Sequence, residues 1–160
     1  MRLSDSTSRR LAAVVICAAL LPGCGDDEEF DQGGGTLTGP GPGVNQIFTE
    51  AFTIAGTAEL QRPTIVSRDI VVPGSGSVRV EVDWSSVDND IDLIVTTNSC
   101  RSGVAAWNGE CDLYGVRDVS SLTKPARVDF SLSAGATVRA YVFNFSTASE
   151  NAVVQVLHQP

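Results

Sequence analysis

The sequence predicts an all-β domain, an antiparallel two-sheet β-sandwich of jelly-roll-like form, preceded by a signal peptide and a disordered linker. Three observations lead to this prediction. Apolar residues recur with a period of two from residue 46 onward, Gly, Pro, Asn and Asp separate the apolar segments, and no stretch carries a sustained apolar stripe at helical spacing. Roughly seven or eight short strands with such turns are typical of sandwiches and jelly rolls.

The clearest strand is predicted at 77–84, where three valines and Trp84 alternate with charged residues, so that Trp84 belongs to the core face. The segment 137–145 is apolar on both faces, which indicates a central strand. The other predicted strands are 47–54, 65–72, 91–95, 128–132 and 151–157. The predicted turns between them include 73–76, 87–89 and 134–135.

The N-terminus has the pattern of an export signal. Basic residues at positions 2, 9 and 10 precede an apolar run at 11–21. This run is too short to span a bilayer of about 30 Å but has the length of a signal-peptide apolar region. It ends in Leu21-Pro22-Gly23-Cys24, which resembles the lipobox of bacterial lipoproteins.

That resemblance implies removal of residues 1–23 and attachment of lipid chains, palmitate among them, to Cys24. The partner would be a membrane, and the location the bacterial cell envelope outside the cytoplasm, at the outer membrane or cell surface. The alternative is an ordinary secretory signal that happens to contain a cysteine. A tether follows Cys24 at once, which favours the lipoprotein interpretation.

Residues 24–45 are predicted to form a flexible acidic and Gly-Pro linker, with the domain at 46–160. The linker has few apolar residues, so it cannot bury enough surface to offset its ordering entropy. Its acidic run at 26–29 acts as a solvating spacer or resembles the sorting signals of surface-exposed lipoproteins.

Charge and cysteine content exclude several functions. The formal net charge is −8, and an acidic surface repels phosphate backbones, so no nucleic-acid partner is expected. Cys100 and Cys111 are the only cysteines in the predicted domain, and in an exported chain such a pair favours a disulfide. With both cysteines paired, no zinc-binding cluster remains.

Two segments of the domain resemble the bacterial pre-peptidase C-terminal domain, a jelly-roll-like sandwich found on secreted proteases and other exported proteins. A strand ending in Trp84 is followed, after a polar turn, by Asp90-Ile91-Asp92-Leu93-Ile94-Val95. Later, Ala134-Gly135 leads into a strand rich in Tyr, Val and Phe. The resemblance covers about residues 48–157. It implies the same fold and, from some relatives, calcium near the Asp90 strand.

Calcium is also a candidate from the residues themselves. Asp88, Asp90 and Asp92 place carboxylates at alternate positions, which suits a hard cation. The loop is not an EF-hand, because Leu93 occupies the position of the required glycine. The favoured alternative is a polar turn that runs into a strand with an outward-facing Asp92.

No catalytic residues are predicted. The only histidine is His158, near the C-terminus, where a frayed or edge position is expected. Trp107 lies inside the Cys100–Cys111 loop and is a candidate binding residue, although packing onto the end of the sandwich is the favoured alternative.

The sequence therefore predicts a membrane-tethered, non-catalytic binding module whose ligand is a protein or a glycan, with no cofactor other than a candidate Ca²⁺. The alternative is a structural envelope lipoprotein with a stabilising calcium site. A hydrolase is a minor alternative, because two carboxylates of unknown placement could converge.

Overall fold

The computed structural model describes residues 37–59, 62–120 and 123–160. Seven β-strands and one short helix make up its regular structure. They are β1 (Asn45–Ile54), β2 (Thr64–Val72), β3 (Gly76–Trp84), β4 (Ile91–Thr97), α1 (Gly103–Trp107), β5 (Ala126–Leu132), β6 (Ala136–Asn144) and β7 (Glu150–Gln159).

The strands form two antiparallel sheets, and consecutive strands alternate between them. Sheet 1 has the order β1-β7-β3-β5, and sheet 2 has the order β2-β6-β4. Residues 112–118 lie along the other edge of β4, where Leu93 and Asp118 exchange two backbone hydrogen bonds of 2.9 and 3.0 Å. With this irregular eighth segment, the strand order is that of a jelly roll. The predicted fold class is confirmed.

The core lies between the two sheets and is built mainly from β-branched residues. On β3, Val80 and Val82 have no exposed surface, and Trp84 is 5% exposed. Burial of each such side chain contributes about 1.5–3 kcal/mol. The indole Nε1 of Trp84 donates to the carbonyl oxygen of Asn89 at 2.9 Å, so the one polar atom of this core residue has a partner.

Strand β6 occupies the centre of sheet 2, as its two apolar faces predict. Ala140 and Val142 face the sandwich core, whereas Tyr141 and Phe143 belong to a second apolar cluster on the outer face of the sheet. All four side chains are buried. Because β6 is covered on both sides, it has no polar face, and its sequence does not alternate between apolar and polar residues.

In its secondary structure, the domain differs from the sequence prediction at the start of the first strand and at helix α1. Strand β1 begins at Asn45, inside the segment predicted as linker, and Thr38 is hydrogen-bonded to the domain. Helix α1 was not predicted because five residues are too few to show an apolar stripe. Its local signal is Ser102, the N-cap residue, whose hydroxyl accepts a hydrogen bond from the backbone N–H of Ala105 at 3.2 Å.

Candidate functional site

The segment just before β1 crosses the outer face of sheet 1, and we call residues 38–44 the strap. The strap reverses direction in a turn centred on Pro42 and Gly43, closed by a hydrogen bond from Val44 N–H to the Gly41 carbonyl oxygen at 3.1 Å. Gly43 has φ = 74°, which the third position of a type II turn requires, and proline suits the second position. The Gly-Pro repeat therefore forms a defined turn at its end.

Thr38 attaches the strap to a buried carboxylate. Its backbone N–H and its hydroxyl donate to the two oxygens of Glu81, at 2.8 and 2.7 Å. The Glu81 side chain also accepts from Arg127 Nε at 2.8 Å and from Gln155 Nε2 at 3.0 Å. Glu81 is completely buried, and a buried carboxylate is tolerated only when it is paired in this way.

The electrostatics of Glu81 favour its charged form. Burial alone would raise the pKa of Glu81, but the hydrogen bonds from Thr38 and Gln155 and the positive charge of Arg127 outweigh it, so the pKa is lower than the usual 4.5. At neutral pH the strap is therefore held by a carboxylate, and hydrogen bonds to charged acceptors are the stronger ones.

A groove lies between the strap and sheet 1. Its volume is about 490 Å³, within the usual range of roughly 300–1,000 Å³ for ligand pockets. The strap forms one wall, with Gly39 and Gly41 among its residues. Strands β3, β5 and β7 supply Ser77, Arg79, Asp129, Ser131, Leu157 and Gln159.

The strand side chains of the groove stand in two rows that cross the sheet. In the first row, Ser77 of β3 lies opposite Ser131 of β5 and Gln159 of β7. All three side chains are exposed, and among the described residues no side-chain hydrogen bond involves them.

The second row contains a charge pair. Arg79 lies opposite Asp129 and Leu157. Arg79 Nε donates to Asp129 Oδ1 at 2.7 Å, and both side chains remain partly exposed, at 35% and 54%. The groove thus presents hydroxyl, amide, guanidinium and carboxylate groups, and Leu157 beneath them is buried.

The opposite face of the sandwich carries the predicted disulfide. Cys100 and Cys111 are bonded, with their Cα atoms 5.7 Å apart, so this prediction is confirmed. The carbonyl oxygen of Cys100 accepts from Tyr141 Oη at 3.0 Å and from Arg139 Nη1 at 2.8 Å. Helix α1 packs closely inside the loop, because a Cβ on Gly103 would lie 2.6 Å from the Ile65 side chain.

Trp107, the candidate binding residue of this loop, packs onto sheet 2. Its ring centroid lies 5.3 Å from that of Phe143 and 4.9 Å from that of Phe145. Its backbone carbonyl accepts from Arg117 Nη1 at 2.9 Å. The ring is half-buried, so Trp107 packs onto the end of the sandwich as the favoured alternative expected. A role in ligand binding remains a prediction.

The three candidate calcium ligands are not equivalent. Asp88 is exposed, whereas Asp92 is 3% exposed and its carboxyl group lies beside that of Asp90. Burial, followed by the nearby charges of Asp90 and Asp118, raises the pKa of Asp92 to about 7. The alternative interpretation, a polar turn followed by a strand, placed Asp92 on an outward face. In the structure this side chain is buried. The calcium site remains a prediction.

The Asp90–Asp92 pair leaves two buried atoms without partners. The Oδ1 atoms of Asp90 and Asp92 have no hydrogen-bond partner among the described residues. The same part of the chain contains no group of three or more His, Cys, Asp or Glu side chains placed to hold a metal ion. Asp118, whose charge also acts on this pair, is turned toward the backbone: its two oxygens accept from the N–H groups of Ser120 and Arg127.

His158 is not frayed, contrary to the prediction from its position. It lies in β7, is 3% exposed and has its Nε2 atom 3.0 Å from the Ser75 carbonyl oxygen. It faces the core because it shares the phase of Val154 and Val156 on the strand. His158 therefore lies at the edge of the core. Extending the alternation of the predicted strand 151–157 by one residue would have placed it on the core face.

The predicted lipidation site, Cys24, lies outside the described residues. Within the part of the chain that the structure describes, no helix is long and apolar enough to cross a membrane. The membrane anchor therefore stays a prediction from the sequence motif.

No protein-family model and no curated protein matches the sequence. Among solved structures, the Yersinia pseudotuberculosis-derived mitogen is 16% identical with a TM-score of 0.45, and the match covers 71% of this chain and 83% of that one. A carbohydrate-binding module from Cellvibrio mixtus lichenase 5A, in complex with cellotriose, is 12% identical with a TM-score of 0.37, covering 70% and 88%. Similarity at this level carries no conclusion about the ligand of this chain.

The chain therefore contains a jelly-roll β-sandwich with a polar groove on one face and a disulfide-bonded loop on the other. The resemblance to the pre-peptidase C-terminal domain rests on the sequence motifs alone and remains a prediction.

Proposed function

We propose that this chain is a lipid-anchored, extracytoplasmic, non-catalytic binding module of the bacterial cell envelope, with a protein or a glycan as its ligand. The groove between the strap and sheet 1 is the observation that carries the proposal. Its size suits a ligand, and it presents side chains that lack partners among the described residues.

The arrangement of the titratable groups disfavours catalysis. A nucleophilic mechanism needs a histidine or another base beside the nucleophile. The only histidine of the chain, His158, is buried and lies against a backbone carbonyl. The Asp90–Asp92 pair is the arrangement that most resembles a hydrolase site, but Asp92 is nearly covered and does not reach a substrate.

The anchor follows from the N-terminal motif. Cys24 would hold the chain on the membrane through its lipids, and residues up to the strap would act as the tether. A single acyl chain binds a membrane only reversibly, so stable attachment requires the two or three chains of a bacterial lipoprotein. The domain at 46–160 has 13 Asp and Glu against 8 Lys and Arg, and its net negative charge disfavours association with anionic head groups.

The proposal is tested with the chain of residues 24–160 produced without its signal peptide and without lipid, so that only the domain can bind, incubated with the insoluble envelope fraction of the source cells. Ser131→Tyr places a bulky side chain in the groove, and Thr49→Tyr places the same side chain on an exposed position of sheet 1 outside it. We expect the wild type and Thr49→Tyr to sediment with the fraction and Ser131→Tyr to remain in solution. Equal sedimentation of all three would contradict the role of the groove.

A second candidate function is a structural envelope domain stabilised by Ca²⁺. The two unpartnered oxygens of Asp90 and Asp92 favour it, because carboxylates are preferred calcium ligands. These two residues would hold the ion, and backbone carbonyls and water would complete its coordination. For a dissociation constant near 10⁻⁴ M, about 1 mM calcium would stabilise the fold by roughly 1.4 kcal/mol.

The calcium candidate is tested by thermal unfolding in millimolar Ca²⁺ and in EDTA. It predicts a rise in Tm of about 4–6 °C with calcium, none with magnesium, and none in Asp90→Ala. Asp88→Ala is the control, because Asp88 is exposed. Identical wild-type curves in calcium and EDTA would exclude it.

A further inference from the structure

We infer that the groove between the strap and sheet 1 binds a neutral oligosaccharide, and that the strap acts as the movable wall of this site. The inference rests on the proposed binding function and adds the class of ligand and the part of the chain that closes on it.

The charge of the groove lining indicates a neutral ligand. Arg79 Nε lies 2.7 Å from Asp129 Oδ1, so the two charges neutralise each other and the sheet side of the groove has no excess of either sign. Arg127, the nearest other cation on the same face, is committed to Glu81 and to the Thr38 hydroxyl. An anionic ligand would in addition meet the negative charge of the whole protein, which is −8.

The hydrogen-bonding groups indicate a ligand rich in hydroxyls. Ser77, Ser131 and Gln159 each provide both donors and acceptors, Arg79 provides donors only and Asp129 acceptors only. A sugar hydroxyl is both a donor and an acceptor, so it can pair with every member of this set. Leu157, between these polar groups, is only 4% exposed, so the accessible lining is mainly polar.

The position of the groove disfavours an extended peptide. A peptide that joins a sheet pairs with a free strand edge, where backbone N–H and C=O groups are unsatisfied. The groove instead lies over the outer face of β5, β3 and β7, where β3 and β7 pair on both sides and only the far edge of β5 has no strand partner among the described residues. Recognition there must come from side chains.

The strap is suited to be a movable wall. It is attached mainly through Thr38, at Glu81 and Gln155, while Gly39 and Gly41 have no atoms within 4 Å of a potential Cβ and are exposed. The rest of the strap therefore packs loosely. A ligand that contacts both the strap and the sheet would order it, and elements with few buried contacts are those that move on binding.

The test measures binding of defined sugars to the mature protein by isothermal titration calorimetry. The probes are a panel of neutral gluco-, manno- and galacto-oligosaccharides and N-acetylglucosamine oligomers of two to six units, with oligogalacturonates as the anionic comparison. We expect at least one neutral probe to bind and no oligogalacturonate to bind.

Two groove variants and one control assign the site. Arg79→Gln and Ser131→Tyr should weaken binding by a factor of about 10 or more, and Thr49→Tyr should bind as the wild type does. Arg79→Gln leaves the fold intact, because a partly exposed ion pair contributes only about 0–1 kcal/mol. Hydrogen exchange should slow at residues 38–44 when the bound sugar is present.

The outcomes separate the two proposals. If no neutral probe binds at millimolar concentration while sedimentation with the envelope fraction still depends on Ser131, the binding function holds and the oligosaccharide inference fails. Binding that is equal in Ser131→Tyr also overturns the inference. Sugar binding with no change in exchange at residues 38–44 overturns the role of the strap.

Discussion

Replacing Glu81 by alanine should release the strap and destabilise the domain. The Glu81 carboxylate is fully buried and accepts four hydrogen bonds, two from Thr38, one from Arg127 and one from Gln155. Alanine leaves these donors without their acceptor.

The magnitude follows from the hydrogen bonds that are lost. Hydrogen bonds to a charged group contribute about 1.5–3 kcal/mol, but Arg127 is 39% exposed, so its donors regain water and no buried charge is left behind. We expect a cost of about 2–3 kcal/mol, and because 1 kcal/mol corresponds to roughly 4 °C for a domain of this size, Tm should fall by about 8–12 °C. Glu81→Gln keeps the shape and one acceptor and should cost less, about 1–2 kcal/mol.

The effect should depend on pH. Because the folded pKa of Glu81 is lower than 4.5, its contribution is complete above that pH and is lost as pH falls through the folded pKa. The difference in free energy of unfolding between wild type and Glu81→Gln, measured by urea denaturation, should therefore be largest at pH 7 and shrink as the pH falls below 4.5 through the lowered folded pKa.

Hydrogen exchange completes the assay. In Glu81→Ala, exchange at residues 38–44 should approach that of an unfolded segment. Glu59→Ala is the matched control, since the Glu59 side chain is 66% exposed and pairs only with Arg62. A cost below about 0.5 kcal/mol at pH 7, or an unchanged exchange rate in the strap, would refute the reasoning.

Three further predictions test other parts of the molecule. Cys24→Ser should move the protein from the membrane fraction to the soluble fraction or block signal cleavage, and absence of radiolabelled fatty acid on the wild type would refute lipidation. Cys111→Ser should lower the free energy of unfolding by roughly 3 kcal/mol through the loop closed with Cys100; an unchanged value in urea denaturation would mean that the bond stabilises nothing. Burial raises the pKa of Asp92 from 3.8 to about 7, so the native state holds a proton that the unfolded state releases, and stability should fall as pH rises from about 4 to 7, by at most about 4 kcal/mol. Asp92→Asn should remove that pH dependence and exposed Asp88→Asn should not; parallel pH profiles for wild type and Asp92→Asn would contradict the assignment.

The strands of the sandwich could be predicted because the apolar alternation that marks each strand lies within a few consecutive residues. In β3 the alternation of Val78, Val80 and Val82 with charged residues follows from the pleat of a single strand. The double-sided apolar pattern of β6 likewise identified the central strand. These patterns do not contain the order of strands in a sheet, which depends on contacts between distant residues.

The strap and its groove were not predictable because their contacts are distant in sequence. Thr38 and Glu81 are 43 positions apart, and Thr38 and Gln155 are 117 apart. In the sequence the Gly-Pro repeat resembles a flexible linker, and Glu81 resembles one more polar residue on the solvent face of β3. The only local signal was Pro42-Gly43, the centre of a type II turn.

The site on sheet 2 was partly predictable. Cys100 and Cys111 are the only cysteines of a domain that the sequence predicts to be exported, which was enough to predict the disulfide, and Trp107 was placed in its loop. That Asp90 pairs with Asp92 while Asp88 is exposed depends on how residues 112–118 and the loop cover β4, which alternation alone does not specify.

The central claim is that the groove on sheet 1 is the binding site of this module. The most direct measurement is a backbone amide chemical-shift titration of the mature protein with the oligosaccharide panel. The account predicts shifts confined to residues 38–44 and to the strand positions around Ser77, Arg79, Asp129 and Ser131. Shifts that cluster instead around Trp107 on sheet 2 would contradict it, whereas no shifts with any probe would overturn the oligosaccharide inference.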